Sequence, residues 1–502
     1  MREASVAVLQ TPAGRLLGGL GAATALIALG ALVGVPVLLA MIAVMAGSLL
    51  VAVKPVLGLS VAIFLLYSNL PVVAAARGTI PTAAAAIVPA LLGLAMLHQL
   101  AIRRQPLVLD RTFALMLAFL SVFLIGAFLA EGQDVALARI GTFASEGLLI
   151  YLLVRNSVRD LPTLRVAMWT ALAAAALLSS LAAYQAFTGN YHQDFLGLAQ
   201  RNLEFMEAGA PTAPEEMAVS DRAAGPMAEP NRFAQVLLMT LPLALALFLS
   251  ARRRRVAVLA LGLGGLALVG VILTYSRGAF LTLIVLALLS VPLRLLSTRT
   301  LAMAGAAVLL LVPVVAPAYV GRIASIGAAA DLLGAPEAPD AVTRGRTTEM
   351  LAALAVYMDF PVLGVGPGQY LPFYSVEYQA LPEIGLREIA VPRRAHDLYL
   401  EVAAETGTAG LLIFMAIPLL LMRDLYGASR RLWRRRPDHA RLAVAFVLVI
   451  LGYLGTGVFL HLAYERYYWL VVALTASAVG ILSSTDAYRS PLDDEMTDWE
   501  AA

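Results

Sequence analysis

The residues able to do chemistry gather in a few short segments. The stretch RRAHDLYLEVAAETGTAGLLIF, Arg393 to Phe414, carries His396 directly into an apolar run long enough to cross a membrane. An unperturbed imidazole titrates at about 6.5 and can take a proton from a hydroxyl as general base. The bland alternative for a lone histidine at a helix start is a cap or a satisfied polar group. Asp397, Glu401 and Glu405 follow at i, i+4 and i+8, one stripe down a helix. Ionisable groups inside a membrane are costly and mark function by default, so the stripe should face protein or water. There it would orient His396, bind substrate hydroxyls, or form a structural polar seam.

TYSRGAF places Arg277 between two apolar runs with almost no loop between them. With Ser276 and Gly278 at the start of the next helix, Arg277 joins a guanidinium to free helix N–H groups. Gly278 permits close backbone approach, which makes an anion site suited to phosphate. The alternative is an interfacial arginine that snorkels. Arg346 follows Arg344 at the head of RTTEMLAALAVYMDF and by itself reads only as a loop arginine near lipid headgroups. Glu146, two turns beyond Arg139 in another apolar run, has the same ambiguity as the carboxylate stripe.

The rival histidines on the same side are His192 and His461, while His98 and His439 fall on the opposite side. Asp331, Asp340 and Asp359 are isolated, so no metal-ligand cluster is expected and a metal-dependent mechanism is disfavoured. No cofactor is expected. The chain has no cysteine, which excludes disulfides and thiol chemistry.

These groups must be positioned by membrane helices. Residues are 60% hydrophobic and 14% charged, with a mean hydropathy of +0.82, unlike any soluble core. The expected fold is an all-α polytopic membrane protein with about fourteen spans. Their approximate centres are Leu26, Ala43, Phe64, Pro89, Phe119, Phe143, Ala174, Leu241, Leu266, Leu286, Leu309, Leu411, Leu451 and Leu474. Arginines cluster in alternate loops, at Arg103 to Arg111, Arg155 to Arg165, Arg252 to Arg255, Arg294 to Arg299 and Arg430 to Arg436. Positive charge stays inside, so both termini are expected to be cytoplasmic, with the first apolar run an anchor rather than a cleaved leader. The net charge of +3 thus describes topology, and no nucleic-acid motif is present.

Two outer segments exceed ordinary connections, 189–231 and 320–395. The second contains RTTEMLAALAVYMDF, whose Met350, Leu351, Leu354, Ala355 and Met358 have the spacing of an amphipathic surface helix, followed by the Gly-rich turn LGVGPGQY. Expected units are N-terminal helices 1–188, a periplasmic loop 189–231, a core 232–426 that includes loop 320–395, and C-terminal helices with an acidic tail 427–502.

Taken together these segments resemble the O-antigen ligase and O-antigen polymerase superfamily of bacterial envelope glycosyltransferases. SRGA at Ser276 to Ala279 is similar to the family's arginine-bearing segment. RTTEMLAALAVYMDFPVLGVGPGQY is similar to its loop arginine and Gly-rich turn. AHDLYLEVAAETGTAGLLIF resembles its histidine helix, with Asp397 where many members carry Asn. RAAGPMAEPNRFA, Arg222 to Ala234, resembles the segment that precedes the central spans in many members.

The resemblance implies a multi-pass enzyme of the bacterial inner membrane with a periplasmic site. Its donor would be a glycan on undecaprenyl diphosphate, held by Arg277 and Arg346. The acceptor would be a glycolipid hydroxyl, on lipid A core for a ligase or on another lipid-linked repeat for a polymerase. His396 would be the base, with Ser276, Gly278, Arg222, Asp397, Glu401 and Glu405 in support. Polymerisation is slightly favoured by span count and the Arg222 segment, and would add a chain-length regulator as partner. The competing class is a transporter or lipid-linked-glycan flippase. That class should carry charge within many spans and keep its loops short, unlike the arrangement here.

Overall fold

The computed structural model describes residues 54–201 apart from 80 and 82–85, 221–323 apart from 318 and 322, 341–384, 392–461 and 465–484. The expected spans at Leu26 and Ala43, the acidic tail, and the middles of both long loops, with Pro214 and Pro336, lie outside these residues. The described chain is helical, with no strand among the described residues.

In chain order the helices are α1 Pro55–Ser68, α2 Leu70–Ala76, α3 Ile87–Ile102, α4 Arg111–Leu129, α5 Gln133–Ser157, α6 Leu161–Thr188 and α7 Pro230–Ser250. They continue as α8 Arg254–Leu273, α9 Arg277–Leu289, α10 Thr298–Val315, α11 Ala341–Asp359, α12 Leu398–Leu432, α13 Pro437–Gly457 and α14 Glu465–Ser484. Among the described residues eight helices are long and apolar enough to cross a membrane, α4 to α8 and α12 to α14, or nine if α1 and α2 count as one span bent by 54°. Helices α3, α9 and α10 are apolar but shorter. Each expected span centre from Phe64 onward therefore falls on a helix, but not every one of those helices is long enough to cross alone.

Local chemistry explains where several helices begin. Asp110, Asp160, Ser276, Ser297 and Asp397 each precede a helix and accept a hydrogen bond from a backbone N–H of its first turn. Helix α6 ends where Gly189 takes the left-handed conformation. Helices α13 and α14 are the most enclosed, and α14 carries Tyr468 and Trp469 into an aromatic cluster with Phe119, Phe143 and Phe414. Leu309, Leu310 and Val314 on α10 instead project outward, as expected of a lipid-facing surface.

Helix α12 is broken at Gly407, whose φ of 63° and ψ of −167° are not helical. The backbone groups freed by the break are taken up by the Gly-rich turn. Val365 N–H donates to Ala404 O at 2.9 Å and Gly366 N–H to Glu405 O at 3.0 Å, while Thr408 N–H donates to Pro361 O at 2.8 Å. Such irregular backbone is tolerated at membrane depth only when buried in protein. A Cβ on Gly364 would lie 2.4 Å from the carbonyl carbon of Glu405, so only glycine permits this approach. The outer loop is thereby fixed to the carboxylate-bearing half of α12.

Helix α11 is apolar on both sides rather than on one. Ala352, Ala353 and Val356 are buried, and the helix packs on α12, whereas the larger Leu354 and Met358 face outward with the following Phe360 and Val362. Small residues allow the close packing, and the large ones form the surface the sequence assigns to the membrane.

Candidate functional site

The starts of α5, α7, α9, α12 and α14 converge with the end of α13 and with α11 around the candidate residues. At α9, Tyr275 takes a left-handed φ of 52°, and Ser276 then accepts from Ala279 N–H at 3.4 Å. The turn is held from both sides. Arg222 is buried and donates from Nε to Thr274 O at 2.7 Å and from Nη2 to Asn231 Oδ1 at 2.8 Å, while Tyr319 donates to Ser276 O at 2.6 Å. Arg222 is therefore a latch that positions the helix start.

Ser276, Gly278 and Ala279 line a narrow pocket with Arg346, Asn231, Thr456, Phe459 and Leu460. The structure thus brings the α9 N-terminus and the guanidinium of Arg346 to one place, an arrangement that favours an anion. Arg277, the first residue of α9, is half-buried and is not among the residues lining the pocket. The close approach at Gly278 is made by Phe459, whose ring a Cβ there would meet at 2.6 Å.

One turn beyond Arg346, on the same side of α11, Glu349 is buried. Its Oε2 lies 3.6 Å from His396 Nε2, and its Oε1 lies 4.0 Å from Arg393 Nε. The imidazole contact is longer than a hydrogen bond, as catalytic contacts without substrate often are. His396 itself has a φ of 49°, uncommon for a residue with a side chain, and occupies the turn just before the α12 cap. Its ring stacks obliquely on His461, with centroids 5.6 Å apart. Burial, followed by the charges of Arg346, Arg232, Arg393 and Arg394, pushes the His396 imidazolium pKa down to about 3. The same forces hold His461 well below its usual value. Both rings are neutral at pH 7, so His396 is able to accept a proton.

The carboxylate stripe faces protein, and its members have separate partners. Asp397 caps α12 by accepting from Leu400 N–H at 2.8 Å, and burial raises its pKa against the pull of backbone N–H groups. Glu401 accepts from Arg394 Nη1 at 2.9 Å. Glu405 lies within the electrostatic reach of Arg139 and Glu401, beside the helix break. Of the three readings open to the stripe, a polar seam is the one these contacts fit; none of the three is the carboxylate that meets His396. Glu146 is paired as well, accepting from Arg466 Nη1 at 2.7 Å.

The sequence alone passed over Glu349 and Arg232. Glu349 had a readable signal, since it stands three residues after Arg346 on one helix face. Arg232 is 1% exposed and lies within the Arg222 to Ala234 segment, but nothing in its spacing separates it from Arg222. His461 entered as a rival of His396 and is instead its neighbour. His192 is exposed on the first outer loop.

No curated protein matches the chain. Residues 262–415, which hold Arg277, Arg346, Glu349 and His396, match the family model described as O-Antigen ligase, and on that match this segment belongs to the O-antigen ligase/polymerase superfamily.

Proposed function

We propose that the chain is a glycosyltransferase working at the periplasmic face of a bacterial inner membrane. It moves a glycan from undecaprenyl diphosphate to a sugar hydroxyl without a metal ion. The observation that carries this reading is the double duty of α11. Arg346 on this helix shares a pocket with the α9 N-terminus, and Glu349 one turn later meets the imidazole of His396.

In the reaction Arg277, Arg346 and the helix N–H groups neutralise the diphosphate, which makes it a good leaving group. His396 removes the acceptor hydroxyl proton, the acceptor oxygen bonds to the anomeric carbon, and the bond from that carbon to the phosphate oxygen breaks. Attack in line inverts the anomeric centre. Glu349 holds the imidazole and stabilises the imidazolium that forms.

A base with a pKa of about 3 is too weak for this task at neutral pH. The bound diphosphate supplies the remedy, because its negative charge offsets the arginines that depress the imidazole and so raises its pKa. Proton acceptance is then strong only when the donor is in place.

Of the two acceptor classes we favour a second lipid-linked repeat, on the resemblance of the Arg222 segment. Purified full-length protein given one lipid-linked repeat unit should build a ladder of longer products; addition only to lipid A core would assign it as a ligase. In the same assay with excess chelator, turnover should persist, Arg277→Ala should abolish it, and His396→Ala should lower it about 100- to 10,000-fold. Full turnover by His396→Ala, with chelator stopping the wild type, would refute the mechanism.

A further inference from the structure

The site contains a cation the scheme above does not use. Arg232, in the first turns of α7, is almost wholly enclosed at 1% exposure. Its Nη1 donates to Gln235 Oε1 at 3.1 Å and its Nε lies 3.5 Å from Glu229 Oε2, but its Nη2 is buried with no hydrogen-bond partner among the described residues. A desolvated guanidinium is expensive to keep unless its donors are used. The histidine cluster repeats the deficit: Nδ1 of His396 and Nδ1 of His461 are likewise buried and have no hydrogen-bond partner among the described residues. Arg232 acts on both imidazoles.

Arg232 also adjoins the Arg346 pocket through two of its walls. Asn231 is its chain neighbour, and Thr456 accepts from Gln235 Nε2 at 2.8 Å, the same glutamine that fixes Arg232 Nη1. A buried, pre-oriented fork with an unused donor beside an anion pocket fits an oxyanion better than it fits a structural ion pair.

We propose that Arg232 is a third donor-binding cation, whose Nη2 takes a phosphate oxygen of the lipid diphosphate. This rests on the donor class proposed above, and the test separates the two. The probe is undecaprenyl diphosphate without glycan, bound to the full chain in lipid nanodiscs and read by titration and by melting temperature.

Arg232→Met should weaken binding about 10- to 100-fold, the scale of one charge-assisted hydrogen bond. Without the probe the variant should melt at or above the wild type, because an apolar side chain replaces an under-compensated buried charge. A Met variant that binds like the wild type overturns the assignment, and if Arg346→Ala still loses binding the donor reading stands. A Met variant that melts well below the wild type, with affinity restored at a temperature where both are folded, also overturns it, making Arg232 structural. If the Met variant does not accumulate, Arg232→Lys decides, since it keeps the charge and loses the fork. Weakened binding with unchanged melting then supports the proposal, and unchanged affinity overturns it. A wild type that binds no undecaprenyl diphosphate removes the donor reading and this proposal together.

Discussion

Two charged regions lie within a few turns of each other and are built differently. In the first, Arg139 Nη1 is 2.6 Å from Glu465 Oε1, and Arg466 reaches Glu146 Oε1 at 2.7 Å and Asn69 Oδ1 at 2.7 Å. These contacts tie α5, α14 and the bend between α1 and α2. In the second region the opposite charges stand further apart: His396 to Glu349 at 3.6 Å, Arg232 to Glu229 at 3.5 Å and Arg393 to Glu349 at 4.0 Å. Charges at contact distance satisfy one another and hold helices together. Charges held near contact but short of it leave capacity for a ligand, and that is where the family match and the arginine and histidine motifs fall.

Substitutions in the two regions should therefore separate cleanly. The largest effect belongs to the second region, where Arg277→Ala should remove transfer altogether while the protein still inserts and accumulates. Normal glycan assembly by that variant would erase the proposed role of Arg277. Glu349→Gln should come next, keeping its size and losing its charge. We expect a fall of roughly 10- to 100-fold in kcat with little change in donor KM, since the carboxylate stabilises a charge that forms only in the transition state. An effect confined to KM would place Glu349 in donor binding instead.

In the first region Arg139→Met should cost about 3–5 kcal/mol of stability, because it leaves Glu465 buried without its cation. Replacing both members, with Glu465→Leu added, should recover most of that loss. A single variant as stable as the wild type would show that the pair holds nothing. The smallest effect concerns orientation. Single cysteines at Pro214 and Pro336, in a chain without any, should react with an impermeant thiol reagent added from the periplasm and leave activity unchanged. Labelling only in broken cells would reverse the topology and with it the site.

Membrane class and helix positions were legible because hydropathy over a span-length window depends only on composition. Helix starts were legible wherever Asp or Ser precedes an apolar run, as at Asp397 and Ser276. Span lengths were not, because the bend at Asn69 and the break at Gly407 come from contacts with distant segments, Pro226 and Arg466 in one case and the Gly-rich turn in the other. Arg346 and His396 could be picked out from their motifs, and the structure places both at one site. Arg222 could be picked out too, yet its donors are spent on Thr274 and Asn231. What decides between Arg222 and Arg232 is how completely each side chain is partnered after folding, a property no local spacing encodes.

The central claim is that one helix, α11, couples the anion pocket to the base. With only five histidines in the chain, His396 can be followed by nitrogen-labelled NMR against a His396→Gln reference. Without ligand its ring should stay neutral down to about pH 5, well below an ordinary histidine. Undecaprenyl diphosphate should raise the His396 pKa, and Arg346→Ala should weaken that response. A His396 pKa that does not move when the diphosphate binds would contradict the coupling and leave the pocket and the base as unconnected features.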